Sequence, residues 1–278
     1  METNALNAGQ RFDPPDVPSI GALWSKHRTA ITRTVAVALF LFVWEAAVRW
    51  GGVSPLFLSS PSAVAARFFK VFVDGSIWPS LFATANVALW GAFLSIVVGV
   101  PIGVLMGRSK LFRDTLEPFI MAMSSAPIVA FLPLLIIWLG IGATSKIALV
   151  FIGSVFVIVI NTETGVRQID YRLIETARSF MATEFNILTK IVAPGALPFI
   201  IAGVRLAIAR VLIMVVVAEF YAATVGIGYL IFQAGSQYDT TLVFVGVVIL
   251  AGTGVTANAG LRALERRIAP WLHTEVGR

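Results

Sequence analysis

The sequence has 278 residues, of which 58% are hydrophobic and 13% are charged, and its mean hydropathy is +0.87. Ordinary soluble domains carry about 25% charged residues, so this composition excludes a soluble globular domain and predicts several membrane spans in one domain. The net charge of +6 fits basic loops on one side of a membrane better than nucleic-acid binding. The absence of cysteine excludes disulfides and thiolate metal sites.

The N-terminal 33 residues are polar, contain three prolines and show no hydrophobic periodicity, which predicts a cytoplasmic tail. The transmembrane domain is predicted over residues 34–261, and its first span over 34–50. Glu45 lies inside this span, where an ionised side chain is costly and needs a partner. Ser60 and Pro61 then provide an N-cap and a proline at the first helical position, which predicts a short amphipathic helix in the membrane interface.

The second and third spans are predicted over residues 84–106 and 118–139. The second carries a stripe of small residues at every fourth position, which lets another helix approach closely. These residues are Gly99, Gly103 and Gly107. The third contains prolines that free backbone carbonyls, so it is either a helix lining the transport path or a kinked helix packed in the bundle. The residues concerned are Ser124, Ser125, Pro127 and Pro133.

A fourth span, residues 147–161, leads to the longest charged stretch inside the hydrophobic sequence, residues 170–198. Asp170 can cap a helix, and apolar residues follow it at helical spacing. A break at residues 181–183 separates this helix from a second helical run, which Pro194 and Pro198 are expected to stop. The stretch is therefore predicted to form a helix–turn–helix elbow on the membrane surface.

The fifth and sixth spans are predicted over residues 199–219 and 241–261, with a short re-entrant or outer-surface helix between them. The fifth span contains Arg205, assigned to snorkelling, and Arg210. At a helical rise of about 1.5 Å per residue, Arg210 and Glu45 lie at similar depths, which makes Glu45 the expected partner of a buried Arg210. The pair either fixes the first span against the fifth or leaves Arg210 to attract an anionic solute.

The distribution of Lys and Arg predicts the orientation. With six spans and both termini cytoplasmic, 15 of the 21 Lys and Arg residues fall in cytoplasmic segments, four fall outside and two lie in the fifth span. This asymmetry follows the rule that basic loops stay inside. The C-terminal tail, residues 262–278, is then cytoplasmic as well.

Common enzyme sequence motifs are absent from the sequence. The phosphate-binding pattern G-x-x-x-x-G-K-[ST] does not occur, and neither does a metal-ligand or nucleophile motif. The chain alone is therefore expected to be no enzyme, with no catalytic or metal site and no bound ATP. A self-contained secondary carrier or channel is the less favoured alternative, because the spans show no internal repeat and few deep charges.

The elbow resembles the cytoplasmic loop of permease subunits in ATP-binding-cassette importers. That loop reads E-A-A, three residues, G, nine residues and I-x-L-P. The matching positions here are Glu175, Ala177, Ile191 and Pro194, and the departures are Thr176, Met181 and Ala193. The flanking segments 127–142, 197–198, 203–207 and 218–219 resemble the branch that handles nitrate, sulfonates, taurine and bicarbonate.

The resemblance implies an all-α integral membrane protein with six transmembrane helices of the type I importer permease kind. The first elbow helix would dock a separate ATPase subunit, which binds ATP and Mg. The implied docking residues are Ile174, Glu175, Thr176, Ala177, Arg178, Phe180 and Met181. A second copy of the chain and an external solute-binding protein would complete an inner-membrane importer for a small anion, with an aromatic acid or an uncharged heterocycle as alternative solutes.

Overall fold

The computed structural model describes residues 20–54 and 56–269, and all the regular secondary structure of these residues is helical. Eleven α-helices follow one another: α1 Ile20–Trp50, α2 Pro61–Val73, α3 Trp78–Arg108, α4 Lys110–Ser125, α5 Leu132–Leu139, α6 Ala143–Arg167, α7 Tyr171–Ser179, α8 Glu184–Ile187, α9 Ala193–Ala222, α10 Ile227–Ser236 and α11 Thr240–Ile268. A 3₁₀ turn, Ile128–Phe131, lies between α4 and α5, and a π-helical segment, Leu188–Val192, joins α8 to α9. The all-helical fold class predicted from the sequence is confirmed.

The chain divides into two compact units, the first ending at Ser54 and the second containing the remaining residues. In the first unit, α1 begins at Ile20, so the predicted tail of 33 residues is partly helical, and residues 1–19 lie outside the described part. The apolar stretch Ile31–Trp50 is long enough to cross a membrane. Within this unit Glu45 accepts a hydrogen bond from Arg49, one turn further along the helix.

In the second unit, α3 and α6 pack side by side and run in the same direction. The glycines of α3 contact residues of α6 that lie 59 positions further along the chain, as in the pairs Gly91–Val150, Gly99–Ile158 and Gly107–Val166. Both helices therefore end at one face of the bundle, the face that also holds α7 and α8, which we call the elbow face. The other end is called the opposite face.

The parallel arrangement of α3 and α6 settles how the third predicted span is built. Helix α4 leaves the elbow face, the chain bends by 92° between α4 and the segment Ile128–Leu139, and α6 then starts at the opposite face. The bent pair therefore makes one net crossing and is not a loop that returns to its own side. The structure contains a sharp break next to Pro127, and the role of this segment in lining the transport path stays a prediction.

Helix α9 runs antiparallel to α6, since Gly153 contacts Met214 and Gly165 contacts Phe199. Helix α11 returns to the elbow face, where Arg205 of α9 donates a hydrogen bond of 2.7 Å to Glu265 of α11. Arg205, which was expected only to snorkel, is thus held by an ion pair. The five crossings from α3 to α11, together with α1, give the six spans predicted from the sequence.

The prediction that Pro194 and Pro198 stop the elbow helix is wrong. The chain stays helical from Glu184 to Ala222, with Pro194 in the first turn of α9 and Pro198 inside it. A proline cannot donate the hydrogen bond that an α-helix requires, and the wider turn of the π segment just before Ala193 absorbs that mismatch. The fifth span is therefore a continuation of the elbow.

At the opposite face, α2 and α10 pack against the start of α11. The predicted cap of α2 is present, because Ser60 Oγ accepts a hydrogen bond from the Ala63 N–H at 3.3 Å. Ser59 Oγ bonds to the hydroxyls of Thr240 and Thr241 at 2.9 and 2.6 Å. These contacts fix the interfacial helix to the last span rather than leaving it on the lipid surface alone.

Candidate coupling elbow and buried polar network

Helix α7 is a short amphipathic helix with a cap at each end. At its start Asp170 Oδ1 accepts a hydrogen bond from the Arg172 N–H at 2.9 Å. At its end the Ala182 N–H bonds to the Ala177 carbonyl at 3.0 Å and the Met181 N–H bonds to Arg178 at 2.9 Å. This pattern is a Schellman motif, which needs a left-handed residue at Met181, and Met181 has φ of 56°.

The two faces of α7 have different surroundings. Ile174 and Ala177 are half-buried and pack on an apolar cluster of the permease itself that includes Ile187 and Val192. Phe180 and Met181 instead expose 84% and 92% of their surface. The other large apolar side chains exposed on the elbow are Tyr171, Leu173 and Phe185. The docking role of the elbow stays a prediction, but Ile174 and Ala177 belong to its inner side, whereas Phe180 belongs to its outer side.

Glu184 joins the elbow to the transmembrane bundle. Its Oε1 accepts hydrogen bonds from Arg178 Nε and Nη2 at 3.2 and 3.0 Å, and its Oε2 accepts one from Arg108 at the end of α3. The carboxylate is exposed, so each ion pair alone contributes little to stability. The Glu184 side chain matters for the position of the elbow, since it connects α7, α8 and α3.

The small-residue stripe of α3 lies against α6. A methyl group added at Gly103 would lie 2.6 Å from Thr162, and one at Gly107 would lie 2.5 Å from Val166, both shorter than any real contact. At Gly99 the corresponding distance to Ile158 is 3.1 Å. One turn before Gly99, Ser95 Oγ bonds to Ser154 Oγ at 2.7 Å. The two helices therefore touch backbone to backbone along this seam.

The residues predicted to line the path lie on different helices of the chain. Ser124 and Ser125 lie at the bend after α4, where Ser124 Oγ donates to the Met121 carbonyl at 3.0 Å. Arg210 lies on an exposed face of α9 in the single chain, and its burial in the assembled bundle stays a prediction. The predicted pairing of Arg210 with Glu45 involves the two separate units and stays a prediction.

The most deeply buried charged residue among those described is Glu219 near the end of α9, with no exposed surface. Thr84 Oγ1 donates to its two oxygens at 2.8 and 3.0 Å, and the Gly228 N–H donates to Oε2 at 2.7 Å. Lys146, buried at the start of α6, adds electrostatic attraction. The sequence indicated Glu219 as the last residue of the fifth span and as part of the flanking segment 218–219, but it did not indicate the network, because the partners lie 135 and nine positions away.

Among the described residues no group of three or more His, Asp or Glu side chains could hold a metal ion. The described chain thus presents a helical membrane bundle, an amphipathic elbow at one face and a buried carboxylate network near the other. This arrangement is that of a multi-span helical membrane subunit.

Comparison with known proteins gives the family. Residues 99–270 match the family described as binding-protein-dependent transport system inner membrane component, and the chain belongs to this family. It is 33% identical to the taurine transport system permease protein TauC of Escherichia coli, over 91% of this chain and 94% of that protein. It is 34% identical to the riboflavin transport system permease protein RibX of Chloroflexus aurantiacus, over 91% and 95%.

A third relative is the putative aliphatic sulfonates transport permease protein SsuC of Bacillus subtilis, 32% identical over 86% of this chain and 87% of that protein. Among solved structures, a chain of the MetNI methionine ABC transporter in an inward-facing conformation matches with a TM-score of 0.55 and 21% identity, over 68% of this chain and 97% of that chain. This likeness supports the type I importer permease fold.

Proposed function

We propose that this chain is the membrane-spanning permease subunit of an ATP-driven importer and that it forms the path for a small organic anion. The observation that carries the proposal is the elbow, where a capped amphipathic helix presents Phe180 and Met181 to solvent at the face where α3, α6 and α11 end. An isolated apolar patch of this kind marks a protein docking site.

The partner at the elbow is an ATPase subunit that binds ATP and Mg. The proposed contact uses Phe180, Met181, Tyr171 and Leu173 as its apolar centre, and Glu175 and Arg178 as its charged rim. Ile174 and Ala177 support this surface from inside. Because Glu184 connects Arg178 to Arg108, a displacement of α7 would be passed directly to α3 and, through the glycine seam, to α6.

Two further partners complete the importer. Each chain carries one elbow and ATPases of this class act in pairs, so a two-fold pair of identical permease chains is the simplest assembly. An external binding protein delivers the solute. We place the elbow face and both termini in the cytoplasm of a cell with this chain in its inner membrane, because the Lys and Arg residues concentrate there.

The proposed solute is an organic sulfonate such as taurine. The relatives TauC and SsuC carry this chemistry in their names, and Arg210 on the exposed face of α9 provides a cation that could attract an anion. An uncharged heterocycle is the second candidate, favoured by the similarity to RibX. Competition of labelled taurine uptake by unlabelled taurine, but not by riboflavin, would decide for the sulfonate.

The docking surface is tested by Phe180→Asp, which places a charge in the centre of the apolar patch. We expect this variant to lose co-purification with the ATPase subunit while still being inserted in the membrane. Val73→Asp, a matched change at an exposed residue of α2, is expected to keep the ATPase bound. Normal ATPase binding by Phe180→Asp would refute the assignment of the docking surface.

A further inference from the structure

The first turn of α10 is held by side chains from two other helices. The leading N–H groups of a helix have no acceptor within the helix, and here two of them find one outside. The Ile227 N–H donates to Thr84 Oγ1 at 2.8 Å, and the Gly228 N–H donates to Glu219 Oε2 at 2.7 Å. Thr84 in turn donates its proton to the Glu219 carboxylate.

The network around Glu219 is buried and closely packed. Glu219 is fully buried and Thr84 is 5% exposed, so a group that loses its partner in this network has little access to bulk water. A methyl group at Gly226 would lie 2.4 Å from the Glu219 carboxyl carbon, and one at Gly228 would lie 2.9 Å from its Cβ. The two glycines therefore bring the backbone of α10 directly onto the carboxylate, whose negative charge favours the helix N-terminus.

The other side of α10 lines a polar pocket of about 260 Å³ that opens at the opposite face. Tyr229 and Gln233 on α10 and Gln237 just after it recur at every fourth position, and Ser80 and Thr224 add hydroxyl groups. Asp239 also lines the pocket, and its carboxylate forms an ion pair with Arg67 at 3.9 Å. Hydroxyl and amide groups of this kind can donate hydrogen bonds to the oxygens of a small oxyanion. The same short helix thus joins the buried network to a pocket on the surface.

We propose that Thr84 and Glu219 are positioning residues for transport: they hold α10 against α3 and α9 so that its polar side forms the pocket that first receives the solute at the opposite face. This inference rests on the proposed import function. It predicts that the Thr84 hydroxyl matters through the position of α10 and not through the general stability of the bundle.

The position of α10 can be measured without any transport assay. Because the chain has no cysteine, a single spin label can be attached at Ser236→Cys, an exposed residue in the last turn of α10. Thr84→Val removes the hydroxyl at almost unchanged volume and is expected to increase the mobility of the label. Thr84→Ser keeps the hydroxyl and is expected to leave the label as immobile as in the chain with Thr84.

Thr162→Val is the matched control, because Thr162 is equally buried on α6 and its hydroxyl has no partner among the described residues. Removing that hydroxyl is expected to change neither the label nor transport. In proteoliposomes with the ATPase and binding protein, Thr84→Val is expected to reduce taurine uptake roughly tenfold, since the buried Ile227 N–H loses its acceptor. Thr84→Ser is expected to take up taurine as fast as the unaltered chain.

Gln233→Ala should reduce uptake while leaving the label immobile, because it alters the pocket and not the network. The inference would be overturned by an immobile label in Thr84→Val, or by a mobile label with unchanged uptake. A third outcome separates the two proposals. If the unaltered chain takes up no taurine but Thr84→Val still increases the mobility of the label, the proposed solute is wrong and the positioning of α10 is upheld.

Discussion

At the scale of single residues, Met181 holds the turn after α7 in a backbone conformation that a non-glycine residue disfavours. The residue adopts φ of 56°, a left-handed conformation that costs a non-glycine residue about 1 kcal/mol or more. The Schellman hydrogen bonds and the packing of Ala177 and Ala182 below the turn compensate for this cost. The methionine side chain itself is 92% exposed and contributes little packing within the chain.

Met181→Gly is therefore expected to stabilise the isolated chain by about 1 kcal/mol, because glycine adopts this conformation without the clash of a Cβ. Thermal unfolding in detergent, followed by circular dichroism, would measure the change. Ser179→Gly, two residues earlier and still helical, is the control and should destabilise by roughly 0.5–1 kcal/mol. A lower unfolding midpoint for Met181→Gly than for the unaltered chain would contradict this view of the turn.

At the scale of helices, the bundle is organised by the seam between α3 and α6. Association of helices in lipid depends on close packing, and small residues allow the backbones to approach. Every fourth position of α3 along the seam, from Gly91 to Gly107, is glycine or serine. The two helices are thus suited to move as one body when the elbow is displaced.

Gly103→Ala tests the seam, because the added methyl group would meet Thr162 Cβ at 2.6 Å and the α6 carbonyl of Val159 at 2.7 Å. A clash with backbone cannot be relieved by a rotamer change, so a destabilisation of roughly 1–3 kcal/mol is expected. Gly252→Ala on α11, where nothing lies within 4 Å of the added group, should be neutral or slightly stabilising. Unfolding midpoints of the two purified variants give the comparison, and equal midpoints would argue against a tight seam.

At the scale of the whole molecule, the described helices place the elbow, the end of α3 and the end of α11 at one face, with α2, α10 and the polar pocket at the other. The proposed docking surface and the proposed solute-receiving pocket are thereby separated by the thickness of the bundle. This polarity is what a transport subunit driven from one side requires.

The proposed orientation predicts which face is reachable from outside the cell. Cysteine at Ser179 on the elbow should be protected from an impermeant thiol reagent in intact cells, whereas cysteine at Ser236 on α10 should react. Both should react after the membrane is opened. Labelling of Ser179→Cys from outside would reverse the orientation argued from the Lys and Arg residues.

Much of this fold follows from local sequence. Hydrophobic length predicts the spans, and Ser60 and Asp170 predict the caps, because each depends on neighbours in the chain. The network around Glu219 joins residues of α3, α9 and α10, so no local pattern reports it. The continuation of the helix through Pro194 depends on a π segment that propensity does not predict.

The central claim is that this chain conducts its solute only when a partner ATPase drives it. The most direct measurement is taurine uptake into proteoliposomes that contain the chain, the ATPase subunit and the binding protein, with and without ATP and Mg. Uptake that requires ATP, and that disappears when the ATPase subunit is omitted, is the predicted result. Equal uptake by the permease chain alone would contradict the account, because it would identify a self-contained carrier or channel.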